Sequence, residues 1–179
     1  TGLCPTETFR GEPLHRPGCV PDAAEQARRV AAYWQPYHAQ LQAELARLRA
    51  QHGAVLLWEA HSIAGDLPRL FDGQLPDLNF GTADGRSCAP HIADAVLGAA
   101  RSGPYSLVHN GRFKGGHITR HYGAPQQGIH AIQLEMSQRI YMDEAAPFDY
   151  LPAKAEQLQP LLRAMLQAGL DQLRTPGVH

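Results

Sequence analysis

Ala54-Val-Leu-Leu-Trp58 is the stretch that decides the fold, because five apolar residues follow one another between His52-Gly53 and the polar sequence that begins at Glu59. A short continuous apolar run is typical of a strand buried on both faces. Two more strands are predicted at 106–110 and 129–135, which read Ser-Leu-Val-His-Asn and Ile-His-Ala-Ile-Gln-Leu-Glu. These three runs indicate a sheet that is covered on both sides.

Three helices are predicted around these strands. The first opens at Asp22 and continues to His52, with a kink or break at Pro36. The second spans 89–101 with Ser87 as its cap, and the third spans 152–173. Its inner side carries a Leu and Met stripe: Leu158, Leu161, Leu162, Met165, Leu166, Leu170 and Leu173.

The order of helices and strands predicts an α/β fold, a three-layer sandwich with a mixed, mainly parallel sheet flanked by helices. A sheet usually has about five or six strands. Either edge strands escape the sequence pattern, or the chain supplies only part of a larger sheet and lacks N-terminal strands. Residues 1–21 read as a loop rich in Pro and Gly, which favours the second option.

Composition predicts one domain, 1–179, since 179 residues with 44% hydrophobic and 18% charged positions match a single globular unit. The formal charge of −1 gives no field that would hold a nucleic acid or a membrane surface. Without a leader pattern, the expected compartment is the cytoplasm. Three cysteines without a C-x-x-C spacing are expected to be reduced, although a Cys4–Cys19 bridge stays open.

Polar residues follow each of the three predicted strands, and we expect them to meet at one edge of the sheet. They are the candidate functional site, because ligands of open α/β sheets bind beyond the carboxyl ends of strands. Glu59 and His61 share one strand face, and so do Gln133 and Glu135. An imidazole and a carboxylate from separate strands suit a metal ligand and a general base. The alternatives are a structural His61 and an ordinary ion pair between Glu135 and Arg139.

The second predicted strand runs into a basic, glycine-rich segment, 110–123, that contains Arg112 and Arg120. Such a segment either brings backbone close to an anionic ligand or forms a flexible surface loop. His117 and His121 would share a helical face, but Gly115 and Gly116 make a helix there unfavourable. His91 with Asp94 has half of a zinc-hydrolase spacing, and a solvated helix face explains that pair better.

Six segments together resemble the N-formylglutamate amidohydrolase family. The most specific is Asn-Gly-Arg-Phe-Lys-Gly-Gly at 110–116, followed by Ile-Thr-Arg-His-Tyr-Gly at 118–123. The others read Thr-Gly-Leu-Cys-Pro-Thr-Glu-Thr-Phe (1–9), Glu-Ala-His-Ser-Ile (59–63), Pro-Asp-Leu-Asn-Phe-Gly-Thr (76–82) and Gln-Leu-Glu (133–135). The resemblance covers nearly the whole chain and implies a hydrolase of the zinc carboxypeptidase and aspartoacylase type.

The resemblance implies that one zinc ion is held partly by His61, that Glu59 supports this ligand, and that Glu135 is the catalytic general base. The family usually has Asp where this chain has Glu59. Its members also begin well before the position that matches Thr1, with a Pro-His-Ser-Gly segment that carries the first zinc ligands and an Asp-Leu-Asn-Arg segment that resembles a carboxylate binder. Neither occurs here, so we expect an N-terminally truncated domain that corresponds to the C-terminal part of the enzyme.

The implied reaction is hydrolysis of N-formyl-L-glutamate to L-glutamate and formate in histidine degradation, with a small N-acyl amino acid as substrate. Asn110, Arg112 and Arg120 are the expected substrate-binding residues, since a guanidinium presents paired donors that fit a carboxylate. The alternative is a catalytically silent fragment or a module that binds a carboxylate or another anion. Oligomeric state is left open.

Overall fold

A mixed four-stranded sheet forms the centre of the computed structural model, which describes residues 3–174. The strand order is β1-β4-β2-β3. The β1–β4 and β2–β3 pairs are parallel, whereas β2 and β4 are antiparallel. The strands are β1 (Val55–Ile63), β2 (Leu78–Gly81), β3 (Leu107–His109) and β4 (Ile129–Ser137).

Helices cover both faces of this sheet. They are α1 (Ala23–Arg29), α2 (Gln35–His52), α3 (Pro90–Ala100), α4 (His117–Tyr122) and α5 (Pro152–Arg174), with a π-helical turn at Val30–Trp34 between α1 and α2. Short 3₁₀ turns lie at Pro125–Gln127 and Gln138–Ile140. Helices α3 and α5 pack on one face, and α2 and α4 lie over the other. The predicted three-layer α/β fold is therefore confirmed.

The main core lies between the sheet and the pair α3 and α5. Leu78 and Phe80 of β2 and Ile132 and Leu134 of β4 are almost fully buried there. Because side chains alternate along a strand, the odd-numbered residues of β4 face the opposite side. The alternation leaves Gln133 and Glu135 on the face that carries the polar cavity described below.

The three predicted strands are all present, but the sequence pattern missed β2. Four residues are too few to show a clear period, and Asn79 interrupts the apolar run. Burial in the middle of the sheet, between β4 and β3, stabilises this segment instead. The missed strand is thus an inner strand, not an edge.

The antiparallel contact between β2 and β4 overturns one expectation from the sequence. Since β3 runs parallel to β2, its carboxyl end lies at the opposite end of the sheet from the carboxyl ends of β1 and β4. Phe80 pairs with His109, and Gly81 pairs with Gln133. The segment after β3 therefore reaches the site across a sheet face and not from a shared edge.

The helix predicted from Asp22 to His52 is divided just before Pro36, into α1, the π-helical turn at Val30–Trp34 and α2. Proline has no backbone N–H to donate to the carbonyl four residues earlier, and its ring would clash with that carbonyl. The wider turn at Val30–Trp34, in which the Gln35 N–H donates to the Val30 carbonyl oxygen, accommodates Pro36. The predicted cap of α3 was wrong. The Ser87 hydroxyl donates to the Ala131 carbonyl oxygen and does not cap the helix, which begins at Pro90.

Two further corrections concern α4 and α5. The segment at His117–Tyr122 is helical despite the glycines before it, because Gly116 lies outside the helix as its cap and Gly115 takes φ +116° in the preceding turn. On α5, Leu166 and Leu170 are 36% and 43% exposed, so only part of the predicted stripe is core. The three cysteines are unpaired, as predicted. No helix in the described part of the chain is long and apolar enough to cross a bilayer.

Candidate active site

An open cavity of about 920 Å³ lies on the sheet face beneath α2 and α4. Its floor is made by β1 and β4, and its wall by the segment after β3 and by the first residues of α4. Polar and ionisable groups line it: Glu59, His61, Arg112, His117, Gln133 and Glu135. The sequence-based expectation that His61, Glu135 and two arginines come together is met for His61, Glu135 and Arg112.

His61 and Glu135 form one rung across the parallel strands, since their Cα atoms are paired in the register. Glu135 is only 8% exposed, and burial raises the pKa of its carboxyl, while the nearby His61 imidazole lowers it. None of the described residues donates a hydrogen bond to this carboxylate. A buried carboxylate with a raised pKa and free lone pairs is suited to accept a proton.

Glu59 lies beside His61 on the same strand face. Its Oε2 is 3.2 Å from His61 Nε2, and the Glu59 side chain is 14% exposed, compared with 47% for His61. One imidazole and one carboxylate are donor types that zinc accepts. Within residues 3–174, however, no cluster of three His, Cys, Asp or Glu side chains is arranged to hold a metal ion. The pair fits part of a zinc site.

Arg112 and Arg120 have different environments. Arg112 lines the cavity, is exposed and forms no hydrogen bond or ion pair with the described residues. Arg120 lies outside the cavity lining, and its Nη1 donates to the Gly115 carbonyl oxygen. Of the two arginines expected to bind the substrate, Arg112 lines the cavity and Arg120 does not.

Asn110 stabilises a turn with its side chain and does not line the cavity. Its Oδ1 accepts the Thr82 backbone N–H at 2.8 Å, and its Nδ2 donates to Thr82 Oγ1 at 2.9 Å. The residue has φ +52°, a left-handed conformation that Asn tolerates better than most residues. Its amide is therefore occupied with the turn at residue 82, which keeps the start of the 110–116 segment in place.

Gly81 allows this segment to cross the sheet. A Cβ atom at Gly81 would collide with the Gly115 nitrogen and the Lys114 carbonyl carbon. Beside this contact, the Ala83 N–H donates to the Lys114 carbonyl oxygen at 2.6 Å, and the Gly116 N–H donates to Gln133 Oε1 at 2.5 Å. Close backbone contact is the reason for the glycines here, and it brings Arg112 to the cavity.

Several cavity residues were missed from the sequence. Trp34 and His38 reach the cavity from the helical layer, and His38 Nδ1 lies 2.7 Å from the Tyr122 hydroxyl oxygen of α4. Burial is the main reason for the lowered pKa of His38, and nearby histidines add to it. The His117 ring stacks on the His121 ring with centroids 5.0 Å apart. Only the His117–His121 spacing gave any signal in the sequence.

The alternatives left open by the sequence can now be compared with the structure. Arg139 is bonded to Asp77 at 2.8 Å, so it does not form the alternative ion pair with Glu135. His91 and Asp94 are both exposed on α3, on the other side of the sheet, in agreement with a solvated helix face. Their spacing contributes nothing to the cavity.

The fold and cavity define an α/β protein with a cavity, lined by acidic and basic side chains, on the face of a mixed sheet. The chain belongs to the N-formylglutamate amidohydrolase family, whose sequence model matches residues 1–142. The resemblance found in the sequence is therefore confirmed.

Curated relatives support this assignment. The chain is 53% identical over 171 residues to an N-formylglutamate deformylase of Pseudomonas aeruginosa and 52% identical over 169 residues to that of Pseudomonas putida. Both matches cover 94% of this chain, but only 64% and 63% of the relatives. The chain thus spans a little under two thirds of their length.

Solved structures agree with the fold. An N-formylglutamate amidohydrolase from Ralstonia eutropha superposes with a TM-score of 0.72 and 27% identity, covering 83% of this chain and 55% of that protein. A gene product from Agrobacterium tumefaciens has a TM-score of 0.65 at 19% identity, covering 96% of this chain and 63% of its own, which supports the fold alone.

Proposed function

We propose that the protein is a zinc-dependent amidohydrolase that cleaves N-formyl-L-glutamate to L-glutamate and formate, in the cytoplasm and as part of histidine degradation. The observation that carries the proposal is the buried, unpaired Glu135 carboxylate opposite His61. The curated relatives, whose names describe this deformylation, support the choice of substrate.

His61 would hold the zinc ion, and Glu59 would fix the orientation of the imidazole through its contact with Nε2. Zinc, when bound, polarises a carbonyl oxygen and lowers the pKa of water to roughly 7. A carboxylate beside a metal-bound histidine is a common supporting arrangement. The donor set of this rung therefore fits the proposed metal chemistry.

Glu135 would act as the general base. It takes a proton from the attacking water and returns it to the glutamate nitrogen as the C–N bond breaks, a role typically worth about 10²–10⁴ in rate. The raised pKa of Glu135 helps both steps. A more basic carboxylate accepts the proton from water more readily, and the resulting carboxylic acid holds the proton until the leaving nitrogen accepts it. Arg112 would bind a substrate carboxylate with its paired N–H donors.

The experiment that tests this proposal uses protein expressed from the complete reading frame. Formate release from N-formyl-L-glutamate is measured with and without added zinc, and again for Glu135→Gln. We expect zinc-dependent turnover that the substitution removes.

A carboxylate-binding module without catalysis is the second candidate, and the unpaired Arg112 guanidinium in the cavity favours it. Calorimetric binding of N-formylglutamate without any turnover, at every zinc concentration, would support this candidate and contradict the proposed enzyme.

A further inference from the structure

Gln133 is a buried amide whose two ends have different surroundings. The residue is 5% exposed and lies on β4, two positions before Glu135 and on the same face. Its Oε1 accepts the Gly116 N–H at 2.5 Å. Because a backbone N–H requires an acceptor, this bond fixes the orientation of the amide, with the oxygen towards Gly116 and the nitrogen away from it.

The Nε2 group of Gln133 has no acceptor among residues 3–174. This nitrogen is not fully enclosed, since the fully enclosed side-chain atoms without a partner in the described part of the chain are Asn79 Oδ1 and Thr119 Oγ1. Since Gln133 lines the cavity, its nitrogen is in contact with the cavity volume. An oriented N–H₂ donor in a mostly buried position is costly unless a ligand or a water molecule accepts from it.

The position of Gln133 relative to Glu135 indicates which part of a substrate it meets. Two residues along a strand span about 6.8 Å, so the donor lies one rung deeper than the reacting rung of His61 and Glu135. In extended N-formylglutamate, the carbon of the side-chain carboxylate is about 6 Å from the formyl carbon, given ordinary bond lengths. The α-carboxylate is closer to the formyl group and does not reach as far.

We propose that Gln133 is a specificity-determining residue that donates a hydrogen bond from Nε2 to the side-chain carboxylate of the substrate. The proposal deepens the proposed function and depends on it. Glu59 lies opposite Gln133 in the register, but its Oε2 is directed at His61 Nε2. The carboxylate of Glu59 therefore need not contact the side-chain carboxylate of the substrate. Arg112 remains available for the other carboxylate of the substrate.

Gln133→Glu separates this role from a structural one. A carboxylate oxygen at residue 133 still accepts the Gly116 N–H, so the contact with the loop is preserved, while the donor is replaced by an acceptor. N-formylglutamine has the same shape as N-formylglutamate but ends in an amide, which donates to a carboxylate. The ratio of kcat/KM between the two substrates therefore reports the interaction of residue 133 with the end of the substrate side chain.

The experiment compares kcat/KM for these two substrates in protein from the complete reading frame. In Gln133→Glu we expect a loss of about 10- to 100-fold on N-formylglutamate, since hydrogen bonds to charged groups are worth about 1.5–3 kcal/mol, and a loss smaller than about threefold on N-formylglutamine. Gln126→Glu is the matched control, because Gln126 is exposed and lies outside the cavity lining. It should leave both values unchanged.

Gln133→Met keeps the proposal testable if the charged variant does not fold, as judged by thermal melting. It removes the donor without adding charge, and should reduce kcat/KM for N-formylglutamate more than for N-formylglutamine. Equal losses on both substrates in each folded variant would overturn the proposal. If the unmodified protein hydrolyses neither substrate, the proposed function fails; calorimetric binding of the two ligands then decides the role of Gln133, and equal affinities would overturn it.

Discussion

Glu135 combines two properties that both disfavour a charged carboxylate in a folded protein. Its carboxylate is buried, which disfavours the charge, and no described residue donates a hydrogen bond that would compensate for the lost water. Burial is the larger effect on the pKa, and among the described residues the imidazole of His61 favours the charged form. The fold therefore keeps a buried carboxyl group at the expense of stability, as active sites often do.

Replacement of Glu135 by Gln should therefore abolish turnover and raise the melting temperature at neutral pH. A carboxyl whose pKa is raised in the folded state binds its proton more tightly there than in the unfolded chain. Its contribution to stability is present at low pH and is lost as the pH rises from the ordinary Glu pKa through the raised one. The neutral amide removes this loss.

Thermal melting at several pH values checks this prediction. The difference in melting temperature between Glu135→Gln and the parent should vanish at low pH, where both side chains are neutral. Glu156→Gln, at an exposed position on α5, is the control and should change neither activity nor melting. A lower melting temperature for Glu135→Gln at neutral pH would contradict the cost of burial argued here.

Substitutions of Arg112 and Arg120 should have different effects on KM and on stability, although the sequence predicted the same role for both residues. Arg112→Ala should raise KM for N-formylglutamate by roughly 10-fold or more, because a charge-assisted bond to a carboxylate is lost. Arg120→Ala should change KM little and lower stability instead, because it removes the bond to the Gly115 carbonyl oxygen. Steady-state kinetics with thermal melting of both variants checks this, and a larger KM effect for Arg120→Ala would contradict it.

At the scale of elements, the sequence predicts what periodicity and apolar runs determine. The strands β3 and β4 and the helices α3 and α5 were predicted close to their observed bounds, whereas β1 continues to Ile63, five residues beyond its predicted end at Trp58. Two elements were not: β2, which depends on its neighbours in the sheet, and α4, which begins after two glycines and ends at a third. In both elements, tertiary contacts outweigh local preference.

Asn110 illustrates why a site residue is hard to assign from a motif. Asn110→Ala should lower the free energy of unfolding by about 2–4 kcal/mol, combining an unsatisfied Thr82 N–H with a left-handed residue other than glycine. Asn110→Gly should cost about 1–2 kcal/mol less, because glycine accepts φ +52° without strain. Urea unfolding measures both.

Kinetics then distinguish a structural role for Asn110 from a binding role. In the structural role, the stability losses appear without a specific increase in KM for the charged substrate. A rise in KM with unchanged stability in Asn110→Gly would restore the assignment to substrate binding.

For the whole molecule, strand direction was the property that the sequence could not supply. Periodicity indicates that a segment is a strand, but the antiparallel step between β2 and β4 depends on pairing over long separations. The expectation that all strand ends meet at one edge was wrong for this reason. His61, Glu135 and Arg112 still meet, because the 110–116 segment crosses the sheet face at Gly81.

The incomplete ligand set also belongs to the whole molecule. A catalytic zinc usually has three protein ligands, and residues 3–174 offer the His61 and Glu59 pair but no cluster of three. We expect the 179-residue chain, purified alone, to bind zinc weakly or not at all. Protein from the complete reading frame should bind one zinc ion.

Metal analysis after dialysis checks this expectation. In protein from the complete reading frame, His61→Ala should remove the zinc, whereas His91→Ala, at an exposed position on α3, should not. One tightly held zinc ion in the 179-residue chain would contradict the incomplete ligand set.

The cavity is assembled from segments that are far apart along the chain, as the bond between His38 and Tyr122, 84 residues apart, shows. Occupancy of the cavity and global unfolding are therefore linked equilibria. A ligand present at 100 times its dissociation constant stabilises a folded protein by about 2.7 kcal/mol. Thermal denaturation in the presence of N-formylglutamate should therefore report affinity even for variants that no longer turn it over, and the shift should vanish when the cavity is blocked.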